Sequence, residues 1–297
     1  ANPDYLRSGA VSEVYGDNAW RQLVATACMH GVLRTTARIA GVLGHLGDYE
    51  LLENLADQVR KAFRQRYLSR DGHLLGDCQS VYVAALYHNL LEDDERHHVQ
   101  HRLVELLQQD SYHPDVAPIL VHALLPVLTN AGRLDVAYMV LLQTSAPSWL
   151  AAIERQPGSI GREPGVFDIA DVGVWEWMLE SLVGLRPHED YSVNMNGYRH
   201  VRIQPMPPFG AQFLAGSPVR FVEAGVQTLY GQYEIKWWIK EDCFELELLI
   251  PAGCRALVTM PDGIEQSVHS GHHRFVMDFG AGGDGVPTLI ELAGGAS

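Results

Sequence analysis

The period of the hydrophobic pattern changes once along the chain, near residue 187, and no other feature constrains the fold as much. From about Asp17 to Leu185 apolar residues recur every three or four positions, whereas further on they alternate with polar residues. A period of 3.6 is typical of helices and a period of two is typical of strands. We therefore expect a helical domain over residues 1–188 and a β domain over residues 189–297.

The helical half repeats one pattern several times. In the segment 47–68, apolar residues such as Val59 and Phe63 fall on one helical face and charged residues on the opposite face, as in a surface helix packed on a core. Short turns separate the segments, and helices joined so tightly must run antiparallel. We expect a succession of helical hairpins, formed by segments 17–43, 47–68, 79–91, 94–109, 115–131, 133–145 and 172–184.

The β half alternates most clearly in two segments, 232–240 and 244–250, where every second residue is apolar. Alternation of this kind places one face of a strand on a core and the other in water. Several short strands bounded by Gly and Pro are typical of an antiparallel sandwich. The predicted inward set comprises Tyr233, Ile235, Trp237, Ile239, Phe244, Leu246, Leu248 and Ile250.

The charge balance argues against one class of partner. The chain has 22 Lys and Arg against 36 Asp and Glu, a formal net charge of −14 at pH 7. Nucleic acid and anionic membrane surfaces would be repelled by such a chain. No apolar stretch reaches the ~18 residues that a membrane-spanning helix needs. We expect a soluble protein with neither a nucleic-acid nor a membrane partner.

Neither the cysteines nor the histidines indicate a metal or a cofactor. The four cysteines are scattered without C-x-x-C spacing, which argues against a disulfide framework or a structural zinc. His97 and His101 lie one helical turn apart, as paired zinc ligands can, but no third ligand accompanies them and a solvated helix face is favoured. The N-terminal residues lack the basic start and apolar core of a signal peptide, so the cytoplasm is the expected location unless an earlier leader was removed.

Several segments resemble the C-terminal part of the bacterial α-L-rhamnosidases, glycoside hydrolase family 78. Residues 113–150 are similar to a family stretch in which a helix ends in "L..aGr.dlAy.ll.q...PsW", and residues 175–185 to its "gEWly..laGi". In the β half, "GYRHVRIQP" (197–205) and "LELLIPAGCRALVTMP" (246–261) are similar to the final family domain. The resemblance covers most of residues 16–262.

This resemblance implies an (α/α)6 barrel, which is six helical hairpins around one axis, followed by a β-sandwich. Members of the family cleave terminal rhamnose with inversion, using one carboxylic acid as proton donor and one carboxylate as base. Such a barrel needs twelve helices and fewer are recognisable here, so we expect the other hairpins and the proton donor upstream of residue 1. Uncovered apolar faces on segments 17–43 and 47–68 would then require either that upstream domain or a homodimer.

The same resemblance suggests the catalytic base. Where the family has "GATTxWE", with the glutamate as presumed base, this chain reads "PGSIGRE", with Glu163 in the equivalent place within one residue and Arg162 in place of the tryptophan. Where the family has "SfNHyafGsV", this chain reads "VFDIADVGV", which puts Asp168 nearest the histidine position. Inversion needs two carboxyl groups roughly 6.5–9.5 Å apart, so that water fits beside the base. We predict Glu163 as the base and Asp168 as a ligand to sugar hydroxyls, since carboxylates accept paired O–H bonds.

Four more residues are candidates for substrate contact. Trp175 and Trp177 are two apart on a helix and cannot share a face, so Trp177 suits the core and Trp175 a stacking platform for a sugar ring. Trp149 either lines the same opening or packs the turn around it. Gln79 begins a helix where the family carries a polar "T-Q-T", and His113 begins "HPDVAP"; each is either a substrate contact or a structural polar group.

Three functions are open at this point. The first is an inverting glycosidase of α-L-rhamnosidase type that acts on a terminal α-linked deoxy-sugar, with a carbohydrate as its partner. The second is a non-catalytic carbohydrate-binding or assembly subunit, which the changed motifs around Glu163 favour. The third is a related α/α-barrel enzyme such as a polysaccharide lyase, in which a Tyr or His removes a proton. We prefer the first, and it requires no cofactor.

Overall fold

The chain divides into two compact units, Ala1–Val174 and Trp175–Ser297. The computed structural model describes residues 19–151, 168–188, 197–208, 219–279 and 288–290. In this part of the chain the hairpin helices belong to the first unit and the strands to the second, which confirms the predicted order of a helical domain and a β domain. The precise domain boundary after residue 188 stays a prediction.

The first unit is built from helices that pair in chain order. Short connections join α1 to α2, α3 to α4, and α5 to α6, and the two helices of each pair are in contact, so the predicted helical hairpins are confirmed. The bounds are α1 Ala19–Val42, α2 Leu46–Tyr67, α3 Gln79–Tyr87, α4 Asp93–Gln109, α5 Val121–Asn130 and α6 Leu134–Leu141, with a 3₁₀ turn at Pro118–Leu120. A further helix, α7 (Asp168–Trp177), crosses the division between the units.

Helix α3 lies at the centre of the first unit. It contacts α1, α4 and α5, and every residue from Gln79 to Leu86 is buried. A helix that is apolar all round is suited to a position enclosed by other elements. The contacts α1–α3 and α3–α5 therefore make an inner row of helices, with α4 on the outer side of α3. This helix ends earlier than the predicted position 91, because Asn89 adopts a left-handed φ of 55° that interrupts the helical path.

The α1–α2 hairpin exposes large apolar side chains. On α1 they include positions 29, 32 and 39, a spacing that keeps them on one helical face. An apolar face of this kind is typical of a surface that another element covers. The predicted homodimer or upstream domain would cover it, and both stay predictions. The exposed residues of the hairpin are Met29, Val32, Ile39, Val42, Leu43, Leu46, Tyr49, Leu51 and Leu55.

The second unit is organised around one curled sheet. After a single-turn π-helix (Met178–Val183), the strands are β1 Leu185–Pro187, β2 His200–Ile203, β3 Phe221–Thr228, β4 Gly231–Ile239, β5 Cys243–Thr259, β6 Glu265–Asp278 and β7 Thr288–Ile290. The order β1-β2-β5-β4-β3 forms one path, and β6 pairs with both β5 and β7. The described strands thus make one continuous sheet where two sandwiched sheets were expected. One pair, β2 with β5, is parallel.

The long strand β5 explains how one sheet serves as the whole domain. Its first half pairs with β4 and its second half with β2, and the register to β6 shifts between Ile250 and Arg255. Such a bulge bends and twists a strand, so the two halves of β5 can belong to differently oriented parts of the sheet. Apart from the half-buried Ile239, the predicted inward set is buried, which confirms the alternation. None of the described helices is both long and apolar enough to cross a membrane.

Candidate active site

Three loops of the first unit lie around the candidate residues Gln79 and His113. They are residues 68–78 before α3, 110–117 after α4 and 142–148 after α6. Gln79 and Ser80 of α3, which are buried although both are polar, bond to the 110–117 loop. A buried polar group is stable only when it is hydrogen bonded. The hydrogen-bond partners of these two side chains therefore show how the 110–117 loop is held.

The amide of Gln79 is fully engaged with the 110–117 segment. Its Nε2 donates to Asp110 Oδ2 at 2.8 Å and to the His113 carbonyl at 3.1 Å. Its Oε1 accepts the backbone N–H of Asp115 at 3.0 Å, and the residue is only 2% exposed. Both amide hydrogens are used, so no donor is left for a sugar hydroxyl. These bonds fit the structural alternative for Gln79, and its substrate contact stays a prediction.

Ser80 adds a fourth hydrogen bond to the same segment. Its hydroxyl accepts the backbone N–H of Ala117 at 2.8 Å, just before the 3₁₀ turn that leads into α5. Two consecutive residues of the inner helix thus fix both ends of the segment that connects α4 to α5. Buried side chain to backbone bonds of this type specify one loop conformation, because breaking any of them leaves a buried group unsatisfied.

The loop before α3 is held by an ion pair. Arg102 of α4 donates from Nε and Nη2 to the two carboxylate oxygens of Asp77 at 3.0 and 2.7 Å, and Tyr82 donates its hydroxyl to Asp77 at 2.6 Å. The guanidinium of Arg102 holds the pKa of the Asp77 carboxyl below its usual value. A bidentate Arg–carboxylate pair fixes geometry as well as charge, which matters here because Asp77 has a positive φ of 34°.

His113 connects two of the loops. Its Nδ1 lies 2.8 Å from the Asp110 carbonyl and its Nε2 lies 2.8 Å from the Ser145 hydroxyl. Because a carbonyl can only accept, Nδ1 carries the proton, and in the neutral ring Nε2 accepts from the serine. Gln143 strengthens the same connection by donating to the Ser111 carbonyl at 2.6 Å. The predicted substrate contact by His113 is not tested by these bonds and stays a prediction.

The turn between Asp110 and His113 stores backbone strain. Ser111 and Tyr112 have φ values of 53° and 63°, a left-handed conformation that is uncommon for residues other than glycine. The Tyr112 N–H donates to the Leu107 carbonyl at 2.6 Å, which closes the turn onto the end of α4. Consecutive residues in this conformation persist where their surroundings hold them, and they cluster at functional sites.

Two acidic residues of this segment were not among the sequence candidates. Asp110 accepts from Gln79, and Asp115 is exposed beside it. Partial loss of hydration, followed by the negative charge of Asp110, raises the pKa of the Asp115 carboxyl. The signal that could have found both is the pair of acids that flank His113 in a short inter-helix segment. A carboxyl that keeps its proton to higher pH can donate a hydrogen bond to a sugar oxygen.

The predicted aromatic contacts differ in exposure. Trp149 is only 7% exposed and begins a helical turn, where the Ser148 hydroxyl accepts the N–H of Ala151 at 3.1 Å. This favours packing of the turn over a stacking platform. In the second unit, Trp177 is buried as predicted and Trp175 is 57% exposed, which a platform requires. The sugar contact of Trp175 stays a prediction.

The predicted base falls outside the part of the chain that is described. Glu163 belongs to residues 152–167, and its role stays a prediction. Asp168 is the first residue of α7, four positions before the predicted helix start, and its side chain is not described. Acidic residues in a first helical turn interact favourably with the helix dipole, which gives a reason for the earlier start. The contact of Asp168 with sugar hydroxyls also stays a prediction.

The histidines at the outer helix form a separate pocket. His97 and His101 line a cavity of about 370 Å³ together with His73, His98 and Arg102. His101 Nδ1 lies 3.3 Å from Glu105 and His73 Nδ1 lies 3.2 Å from Asp71. Within the described ranges, no three His, Cys, Asp or Glu side chains are arranged to hold a metal ion.

Two family models match the chain. The bacterial alpha-L-rhamnosidase 6 hairpin glycosidase domain matches residues 3–158, and the bacterial alpha-L-rhamnosidase C-terminal domain matches residues 184–275. Among curated relatives, an alpha-L-rhamnosidase of Streptomyces avermitilis is 30% identical over 275 residues, which cover 88% of this chain and 25% of the relative. An alpha-L-rhamnosidase of Formosa agariphila is 24% identical over 277 residues, which cover 88% of this chain and 28% of the relative.

Solved structures agree with this comparison. The S. avermitilis alpha-L-rhamnosidase complexed with L-rhamnose is similar with a TM-score of 0.73 at 30% identity, covering 86% of this chain and 27% of that one. The alpha-L-rhamnosidase of Aspergillus terreus has a TM-score of 0.69 at 25% identity, covering 81% of this chain and 28% of that one. The present chain spans about a quarter of the length of the curated relatives. Since the six-hairpin model alone matches just over half of its residues, the chain belongs to the bacterial α-L-rhamnosidase six-hairpin glycosidase family.

Proposed function

We propose that this protein is a glycosidase of α-L-rhamnosidase type, which hydrolyses a terminal α-linked rhamnose or related deoxy-sugar with inversion. The observation that carries the proposal is membership of a glycosidase family over both units. A curated relative at 30% identity has the name alpha-L-rhamnosidase, and its structure was determined with L-rhamnose. Fold alone does not imply activity, so the residues must supply the chemistry.

Glu163 is proposed as the general base. An ionised carboxylate would take a proton from water as the water attacks the anomeric carbon, and a separate carboxylic acid would protonate the leaving oxygen. Asp168 would accept hydrogen bonds from sugar hydroxyls, and Trp175 would stack on the apolar face of the ring. His113 would contact the substrate from the 110–117 segment.

The hydrogen bonds that hold the 110–117 segment support this proposal, because they make the segment rigid. Hydrolysis by two carboxyl groups depends on their separation, and catalytic groups keep their geometry only when the surrounding residues fix it. Gln79 and Ser80 fix this segment from the buried helix α3. Asp115, whose carboxyl has a raised pKa, is exposed on the fixed segment and is available for hydrogen bonds with a neutral sugar.

The test is an assay of the full-length gene product, with any residues that precede residue 1, on an aryl α-L-rhamnoside. We expect turnover, formation of the β-anomer first by proton NMR, and a loss of roughly 10²- to 10⁴-fold in kcat for Glu163→Gln, as for removal of a general base. The matched control is Glu50→Gln, which changes an exposed glutamate of α2. Equal turnover in Glu163→Gln and in the control would remove Glu163 from the mechanism.

A second candidate function is a non-catalytic carbohydrate-binding or assembly subunit. It is favoured by Arg162, which stands where the family has a tryptophan, and by the replacement of the family's Asn-His pair around Asp168. The same samples distinguish the two functions by calorimetry. Saturable binding of L-rhamnose without hydrolysis, unchanged in Glu163→Gln, would support the binding subunit over the glycosidase.

A further inference from the structure

One face of the sheet in the second unit carries mainly polar side chains, most of them partly or fully exposed. Tyr233, Ile235 and Trp237 of β4 are buried, so the residues between them point to the opposite side of the strand. We call this side the outer face. The pairing registers extend it across four strands, and its residues are Phe221, Glu223, Glu234, Lys236, Trp238, Glu245, Glu247, Leu249, His272 and Arg274.

Two aromatic residues lie side by side at one end of the outer face. Phe221 of β3 is the register partner of Trp238 of β4. The Ile239 N–H donates to the Arg220 carbonyl at 2.8 Å, so that neighbouring pair is the hydrogen-bonded one and Phe221–Trp238 is the closer, non-hydrogen-bonded type. Phe221 is 64% exposed and Trp238 is half-buried. Together they present aromatic surface to water on an edge of the sheet.

Charged residues of alternating sign occupy the next row. Glu223, Lys236, Glu247 and Arg274 face one another across β3, β4, β5 and β6. Lys236 Nζ lies 2.6 Å from Glu223, and Arg274 Nε lies 3.9 Å from Glu247. Opposite charges on directly paired strands stabilise each other. The row is therefore a fixed array of hydrogen-bond donors and acceptors beside the aromatic pair.

A buried carboxylate on the same face forms ion pairs with two cations. Glu245, the register partner of Trp238 on β5, is only 3% exposed and forms ion pairs with Lys240 and Arg274. Burial raises the pKa of Glu245, but the hydrogen bonds with Lys240 and Arg274 outweigh it and hold the pKa below its ordinary value. A buried charge requires such partners, so both cations are held in place next to the indole of Trp238.

A shallow pocket of about 200 Å³ continues the outer face away from the aromatic pair. Its lining includes Glu234, Lys236, Glu247, Leu249 and His272. Lys236 is two residues from Trp238 along β4, which corresponds to roughly 6.6 Å at the rise of a strand. One ligand of a few linked rings could thus contact the aromatic pair and the pocket at the same time.

We propose that the outer face is a carbohydrate-binding site for neutral oligosaccharides, separate from the proposed catalytic site. Aromatic rings bind the apolar C–H face of a sugar ring, while carboxylates and ammonium groups bind its hydroxyls. Four carboxylates on and beside this face oppose three cations, and the whole chain has a net charge of −14. This balance disfavours an anionic polymer. A small open site of this size suits an accessory role in holding a glycan chain.

The site can be tested by ¹⁹F NMR on the full chain labelled with 5-fluorotryptophan. The probes are cellohexaose, xylohexaose and mannohexaose as neutral chains and an oligogalacturonate as the anionic one. The resonance of Trp238 is assigned with Trp238→Phe. We expect it to shift with at least one neutral hexaose and to saturate at millimolar concentrations. Phe221→Ala should weaken that binding by about 3- to 10-fold, the range of one aromatic contact.

The matched control is Tyr230→Ala, which removes another exposed aromatic residue of the second unit but one outside the outer face. It should leave the shift of the Trp238 resonance unchanged. The proposal is overturned if none of the neutral hexaoses shifts that resonance, if only the oligogalacturonate does, or if Phe221→Ala binds as tightly as the unaltered chain. Hydrolysis is not measured, so failure of Glu163 as a base would leave this result intact.

Discussion

Gln79 and Asp110, 31 residues apart in the chain, are joined by a hydrogen bond of 2.8 Å from the side-chain amide of one to the carboxylate of the other. The bond links the first turn of the buried helix α3 to the residue that follows α4. It makes the conformation of the 110–117 segment depend on an amide that is itself enclosed by the core.

Replacing this amide should loosen the segment without unfolding the helix. Gln79→Met keeps the length of the side chain but leaves the Asp115 N–H without its partner, and an unsatisfied buried donor costs roughly 1–3 kcal/mol. We expect a fall of that size in the free energy of unfolding, measured by urea titration, and a lower kcat/KM for aryl rhamnosides. Gln58→Met on the exposed side of α2 is the control. Identical values for both variants would contradict a role for Gln79 in holding the segment.

Acid should destabilise the first unit through its buried histidines. The ring of His88 packs against Gly31 of α1, and burial, together with nearby His30 and His122, lowers the pKa of His88 to about 4 from 6.5. Burial also lowers the pKa of His30. Between pH 6.5 and about 4 the His88 ring binds a proton in the unfolded chain but not in the folded chain. The free energy of unfolding therefore decreases as the pH falls from about 7 towards 4.

The contribution of His88 to this loss can be measured directly. A shift from 6.5 to about 4 corresponds to an upper limit of ~3 kcal/mol at 1.36 kcal/mol per unit. We expect His88→Gln to reduce the difference in unfolding free energy between pH 7.5 and pH 5, whereas His45→Gln at an exposed position should not. A pH dependence that is the same in both variants would show that His88 is not responsible.

Gly184 should tolerate no side chain, for two separable reasons. It has φ of 86°, and an added Cβ would lie 2.3 Å from the backbone of Gln204 and Pro205. Gly253, in the same unit, has φ of 76° but nothing within 4 Å of such a Cβ. Gly253→Ala should therefore cost about 1–2 kcal/mol from backbone strain alone, while Gly184→Ala should cost more than 3 kcal/mol or prevent folding. Similar thermal shifts for the two variants would argue against the backbone clash.

The exposed apolar face of α1 predicts self-association of the chain. Val32 is 64% exposed and Ile39 lies two turns further along the same helix, so we expect a dimer by sedimentation velocity at micromolar concentration. Val32→Glu with Ile39→Glu should yield monomers with unchanged circular dichroism. Leu229→Glu, at a fully exposed loop position of the second unit, should remain dimeric. If the unaltered chain is monomeric, the homodimer is excluded, and other helices would have to cover the exposed apolar face of α1.

Local patterns were sufficient to predict most helices and strands. The alternation around Trp237 and the helical face around Phe63 each reflect contacts within one element and its immediate layer, which periodicity records. The parallel pairing of β2 with β5 could not be predicted in this way. It pairs residues that are 55 positions apart, such as His200 and Arg255, and nothing in the local sequence of either strand specifies its partner.

The candidate site was predictable only in part, for the same reason. Gln79 was selected because it begins a helix where the family carries a polar "T-Q-T", but its partners Asp110 and Asp115 come from a distant loop. Their positions depend on the left-handed turn at Ser111 and Tyr112, which neither residue type favours. A sequence pattern shows that a polar residue stands at a helix start, whereas its hydrogen-bond partners follow only from the tertiary arrangement.

Helix α3 has a consequence for how variants of this protein can be obtained. The residues that hold the 110–117 segment belong to the same helix whose side chains from Val81 to Leu86 are buried. Interiors this dense transmit a change of one methyl group to their neighbours, so core substitutions along α3 will alter the loop it supports. Selectivity for new glycans is better sought by changing the exposed residues of the 110–117 loop than by substituting the buried residues of α3.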